Sequence, residues 1–106
     1  MNWATHAITA LARGETCQVT PHGHSMRPRV ESGATVTLAP YAEDEEPRED
    51  DVVLVKVRGT IYLHLIKAVR GKAEAQQFQI GNNRGGINGW VSRRAIFGKA
   101  VKIENR

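Results

Sequence analysis

VVLVKVRGTIYLHLIKAV, residues 52–69, is two β-branched runs interrupted at Arg58-Gly59. Val, Ile, Thr and Tyr suit a pleated, half-buried surface, and a glycine-containing break between two such runs signals a hairpin. Side chains alternate along a strand, so Ile61, Leu63 and Leu65 share one face of the second run while Tyr62, His64 and Ile66 share the other. His64 is therefore expected on a sheet rather than on a loop.

Working outward, the RGK turn at 70–72 leads to a further strand around Phe78 to Ile80, and GNNRGGING, residues 81–89, reads as a sharp break. A last apolar stretch runs from Ala95 to Ile103. Upstream, Thr16 to Thr20 is a short β-type stretch, and ATVTL, Ala34 to Leu38, alternates as a half-buried strand does. Residues 1–13 carry the only helical pattern. Asn2 is a candidate cap, Trp3, Ala7, Ile8 and Leu11 make an apolar face, and Arg13-Gly14 is the stop. PYAEDEEPREDD, residues 40–51, combines two prolines with clustered like charge and is expected to be an exposed, mobile acidic loop. Short strands, frequent turns and one helix predict a mainly β, barrel-like or folded-sheet domain.

The chain of 106 residues has room for one domain, residues 1–106, with one modest core. Hydrophobic residues at 41% and charged residues at 25% fit a globular protein. A lone cysteine, Cys17, excludes an internal disulfide and suits a cytoplasmic location. The longest uncharged apolar runs reach about half of the roughly 20 residues a membrane-spanning helix needs, so no membrane partner is expected. The net charge of +4 is unevenly distributed. Seven of the eleven acids fall at 43–51, and from Val52 onward eleven Lys and Arg face only Glu74 and Glu104. A basic half of this kind attracts acidic partners or nucleic acid, but without a binding motif it is ordinarily a solvated face.

The chemically suggestive stretch is GHSMRP, residues 23–28, where a small hydroxyl lies between a glycine and a Met-Arg-Pro brake. Ser25 is either a turn residue or a nucleophile held out for attack. A histidine with an ordinary pKa near 6.5 is largely neutral at pH 7 and can take a proton from a serine hydroxyl. If folding joins His64 to Ser25, the two form a nucleophile and its base. Taken singly, each is better explained as an ordinary structural residue.

Three segments in order carry a resemblance. GHSMRPRVESG resembles the Gly-x-Ser-Met-x-Pro box of the serine peptidase family that contains bacterial signal peptidases and self-cleaving SOS-repressor-type domains. DVVLVKVRGTIYLHLIKAV resembles that family's hairpin, and IGNNRGGINGWVSRRAIFGKAV its Gly-Asp-Asn-Arg segment and closing strand. The resemblance covers roughly residues 15 to 101. It implies a signal-peptidase-like or SOS-repressor C-terminal-domain-like folded sheet, a bacterial or phage origin, Ser25 as nucleophile, and a polypeptide substrate without a cofactor. The family's base is usually a lysine in a Tyr-x-Lys context; here YLH places His64 there, as in the Ser-His members. The family's orienting acid corresponds to Asn82, with Asn83 as the alternative, and an asparagine carbonyl can orient an imidazole without stabilising its cation by a full charge. Backbone N–H groups of His24, Ser25 and Met26 would serve the oxyanion. With 24 residues before Ser25, neither an anchor nor a scissile Ala-Gly or Cys-Gly precedes it, so the expectation is a free-standing catalytic core.

Two rival classes stand beside this reading. His22, His24 and His64 could supply three imidazoles to zinc, although a glycine in a turn separates the first pair and no fourth ligand is evident. The stronger rival is an inactive family member that serves as a protein-binding or homodimerising module, or contacts nucleic acid through Arg84, Arg93 and Arg94 beside Trp90.

Overall fold

The hairpin forms where its composition places it. The structure, a computed structural model, describes residues 3–105. Strand β3 (Val52–Val57) pairs antiparallel with β4 (Thr60–Arg70) in a register from Val52 opposite Leu65 to Val57 opposite Thr60. The two-residue turn between them holds Arg58 at φ 49° and Gly59 at φ 84°. Two consecutive positive φ values match the twist of the flanking strands, which is why a glycine closes the turn.

Around this hairpin lie α1 (Thr5–Ala12), β1 (Cys17–Val19), β2 (Thr35–Ala39), β5 (Gln77–Gly81), β6 (Ile87–Ser92) and β7 (Ile96–Glu104). Short 3-10 turns at Ala73–Ala75 and Arg93–Ala95 lead into β5 and β7. All seven strands join one antiparallel sheet in the order β1-β2-β7-β3-β4-β5-β6. The architecture is mainly β with one short helix. Irregularities at Thr37/Leu38, Leu54/Val55, Ile66/Ala68 and Ile80/Gly81 interrupt the ladders. Such bulges bend and twist a strand, so the sheet folds over itself.

The alternation of β3 and β4 divides the interior in two. Val52, Leu54, Leu63 and Leu65 pack with Ala7, Leu11, Val36, Leu38, Met26 and Val30 beneath the helix. Val53, Val55, Val57 and Ile66 face the other way, against Phe78, Ile80, Val91 and Ile96. The predicted split of β4 thus appears as two apolar clusters, one on each face.

The helix departs from the expected 1–13 span. It begins after Ala4, and the expected cap, Asn2, lies outside the described residues. Ala7 and Leu11 are buried, but Trp3 precedes the helix and is 42% exposed, so it is not part of the helical face. The acidic stretch 40–51 is irregular, as its prolines require, yet it is tied down. The Tyr41 hydroxyl donates to Asp51 Oδ2 at 2.7 Å, Lys99 pairs with Glu45, and Pro47 is buried. Burial, then Asp51, hold the Tyr41 phenol far above its ordinary pKa, so this anchor keeps its proton. β6 begins inside what the sequence presents as a break and runs beyond it. Among the described residues no helix is long and apolar enough to cross a membrane.

Gly98 in β7 sits where helix and sheet meet. A Cβ there would lie 2.6 Å from the Ala39 carbonyl oxygen and 2.9 Å from Leu11 Cδ2. Leu11 can shift; the paired backbone of β2 cannot do so without straining its ladder. Gly98→Ala is expected to cost about 2 kcal/mol by overpacking. Urea unfolding should show a lower midpoint with an unchanged slope; an unchanged midpoint would show that the approach is not tight.

Candidate active site

Ser25 occupies an exposed turn whose ends are fixed by buried side chains. Met26 is 5% and Val30 3% exposed, both in the cluster beneath the helix, and the Val30 N–H donates to Met26 O at 2.9 Å. The base of the loop is closed where Gly33 N donates to Pro21 O at 2.8 Å and Gly23 N to Ser32 Oγ at 3.0 Å. Apolar anchoring on one side thus presents the Ser25 hydroxyl on the other.

His64 reaches that hydroxyl. Its Nε2 lies 3.2 Å from Ser25 Oγ, although 39 positions separate the residues. The first half of β4 makes this approach possible. β5 pairs with β4 only from Leu65 onward, so Thr60 to His64 have β3 on one side and no strand on the other. The Ser25 turn comes in beside that open edge. His64 is only 7% exposed, and Tyr62, two residues back on the same face, stacks on the imidazole with ring centroids 4.7 Å apart.

A different asparagine from those expected holds the far side of the ring. His64 Nδ1 is 2.7 Å from Asn88 Oδ1, on β6. Asn82 and Asn83 hydrogen-bond elsewhere and not to the imidazole, so the orienting role expected of them falls to Asn88. Asn82 Oδ1 accepts the N–H groups of Arg84 and Gly86, each at 2.8 Å, and so shapes the turn between β5 and β6. Asn83 clamps the serine turn: its N–H donates to Ser25 O at 2.9 Å and its Nδ2 to Arg27 O, also at 2.9 Å. The Gly-Asn-Asn segment therefore positions the hydroxyl rather than the imidazole. The sequence reading missed Asn88 because it missed β6; the alternation of Ile87, Gly89 and Val91 with Asn88, Trp90 and Ser92 was the available signal.

In the arrangement that has Asn88 Oδ1 as acceptor, the ring proton is on Nδ1 and the Nε2 lone pair points at Ser25. Burial pushes the His64 pKa below 6.5, opposed in part by the Asn88 hydrogen bond. The imidazole is thus neutral at pH 7 and can accept a proton. Arg27 N donates to His24 O at 3.2 Å, whereas among the described residues the N–H groups of His24, Ser25 and Met26 have no protein acceptor. Beside them opens a cavity of about 260 Å³, lined by Trp3, Met26, Val30, Ile61 and Leu63, with His22 and Glu31 among its polar groups.

The groups considered for other chemistry do not assemble in this way. His22 and His24 are exposed, and among the described residues no three His, Cys, Asp or Glu side chains are placed to hold a metal ion. The Arg70 guanidinium lies 3.9 Å over the Trp90 ring, and Arg93 turns toward Tyr41, 4.9 Å from its ring centre. Comparison of the chain with protein-family models, curated proteins and solved structures finds no match.

The direction of the His64 shift fixes a pH response. Above 6.5 the ring is neutral in both folded and unfolded chains. As pH falls through 6.5, the unfolded chain takes up a proton that the folded chain resists, and stability declines until the folded-state pKa is passed. Ring NMR of the native protein should titrate His64 with a midpoint below 6.5. His64→Gln should lose less stability over that interval. A native midpoint at or above 6.5 would contradict the burial argument.

Proposed function

We propose that this protein is a serine peptidase-like hydrolase of the signal-peptidase and SOS-repressor type, cleaving a peptide bond with a Ser25/His64 dyad. The observation that carries the reading is the 3.2 Å separation between Ser25 Oγ and His64 Nε2, with Nδ1 engaged on Asn88. That distance lies at the outer limit of hydrogen-bond reach for a general base. The Asn88 bond keeps Nε2 turned toward the hydroxyl, the geometry a base needs.

The chemistry follows from the atoms in place. Ser25 Oγ attacks the carbonyl carbon of the substrate while its proton passes to His64 Nε2. The tetrahedral oxyanion is met by backbone N–H groups from the His24 to Met26 segment, which point at no protein acceptor. Collapse breaks the C–N bond, and the Nε2 proton leaves with the amine. Water then gives a proton to Nε2 and its oxygen to the acyl carbon, and the Ser25 ester bond breaks with return of that proton. Ahead of the Ser25 turn, the edge of β4 at residues 60–63, which pairs with no strand but β3, gives an extended polypeptide a backbone to pair with. Met26, Val30, Ile61, Leu63 and Trp3 suit an apolar side chain beside the scissile bond.

The test is covalent labelling. A peptidyl phosphonate diester with an apolar side chain next to phosphorus should form one adduct on Ser25. Ser25→Ala should abolish it, and His64→Gln should slow it by about 10² to 10⁴-fold, the usual worth of a general base. A folded wild-type protein that remains unlabelled would remove the hydrolase and favour the binding-module alternative.

A further inference from the structure

Three asparagines surround the site, and they are held differently. Asn82 Oδ1 is fixed by two backbone N–H groups, and Asn83 Nδ2 by the Arg27 carbonyl, so neither amide can turn over without losing a bond. The Asn88 side chain makes, among the described residues, one hydrogen bond, the 2.7 Å contact with His64 Nδ1. Among the described residues no second hydrogen bond distinguishes its oxygen end from its nitrogen end.

We propose that the Asn88 amide is a two-position selector of the His64 tautomer. In one position Oδ1 accepts the Nδ1 proton, and Nε2 is free to receive the proton of Ser25. In the other the amide has turned by half a rotation and Nδ2 donates to a bare Nδ1. The ring proton is then on Nε2, where it donates to Ser25 Oγ and can accept nothing. Both positions satisfy the two ring nitrogens equally, because an amide offers an acceptor at one end and donors at the other. Interconversion takes up one proton from solvent at Nε2, beside the exposed Ser25, and releases the Nδ1 proton to solvent on the opposite side, past the half-buried Asn88. A carboxylate has acceptors only and would allow the first position alone.

For its consequence in catalysis the inference rests on the Ser25/His64 reading; for its physics it does not. A rate that depends on the first position is scaled by the fraction of molecules occupying it. Asn88 is a positioning residue, acting through His64. The other groups facing the ring leave the choice open: Tyr62 stacks on its face, Val53 is its neighbour across the ladder, and His22 and Glu31 line the same cavity.

The experiment reads the two ring nitrogens of His64 by ¹⁵N NMR in the wild type and in Asn88→Asp, at a pH where the ring is neutral, together with the rate of phosphonate labelling. The wild type should give averaged or doubled signals for Nδ1 and Nε2. Asn88→Asp should give a protonated Nδ1 and a bare Nε2. Labelling of Ser25 should rise roughly tenfold in Asn88→Asp, since the carboxylate both removes the idle tautomer and favours the imidazolium by about one pKa unit or more. A wild-type ring already locked with its proton on Nδ1 overturns the proposal, and that measurement needs no variant to fold. An Asn88→Asp ring that keeps the wild-type pattern overturns it as well. Averaged wild-type signals that sharpen in Asn88→Asp, with Ser25 unlabelled in both proteins, leave the selector standing and remove the hydrolase.

Discussion

The candidate site depends on a change in pairing along one strand. Through His64 β4 pairs with β3 alone, Leu65 pairs with both β3 and β5, and beyond it β4 pairs with β5 alone. β5 ends at Gly81, opposite Leu65, and so leaves the early part of β4 uncovered. His64 sits immediately before this junction. Pairing with Val53 fixes its backbone, and the missing neighbour leaves room for the Ser25 turn. A strand covered on both sides would exclude the turn, and an unpaired strand would let the imidazole wander.

Burying an imidazole adds a second constraint, because an unsatisfied buried polar group costs about 1 to 3 kcal/mol. Both nitrogens of His64 have partners, and no buried side-chain nitrogen or oxygen among the described residues lacks one. The partners come from distant parts of the chain, Ser25 before the sheet's central hairpin and Asn88 after it. The connection between β5 and β6 supports both. Asn82 shapes its turn, Asn83 grips the serine turn at two carbonyls, and five residues later β6 brings Asn88 to the ring. Hydroxyl and imidazole are thus positioned from one short segment, which limits their relative movement.

The elements that could be read from the sequence are those whose local preference agrees with their tertiary role. The β-branched runs of β3 and β4 and the alternation of β2 are recovered almost to the residue, and period two alone placed Tyr62, His64 and Ile66 on one face. β6 defied local reading because Asn88 and Gly89 are poor strand formers. It exists because five of its residues pair with β5 and because Val91 is buried against Phe78 and Ile80. The acidic loop misled in a similar way. Charge clustering suggests mobility, but Tyr41, Glu45 and Asp51 find partners far away or across the loop that no local window reveals. Trp3 fitted a helical period and instead faces the cavity. Nothing in the periodicity joins Ser25 to His64; the expectation of that contact came from the resemblance read in three segments.

The uncharged orienting group makes sense in a domain of this size. A carboxylate at position 88 would steady an imidazolium, but it would also place an anion beside the buried His64 and its stacked Tyr62. A charge in such surroundings is tolerable only with a well-placed counterion, and Lys67, the basic residue three positions further along the same strand, is already committed to the Asn82 carbonyl at 3.2 Å. With two thin apolar clusters instead of one thick core, a chain of 106 residues has little surplus stability with which to offset that penalty. An amide orients the ring without charge and keeps the resting site neutral. The same choice withholds electrostatic help when His64 is protonated, so the arrangement favours a stable fold over a strong base.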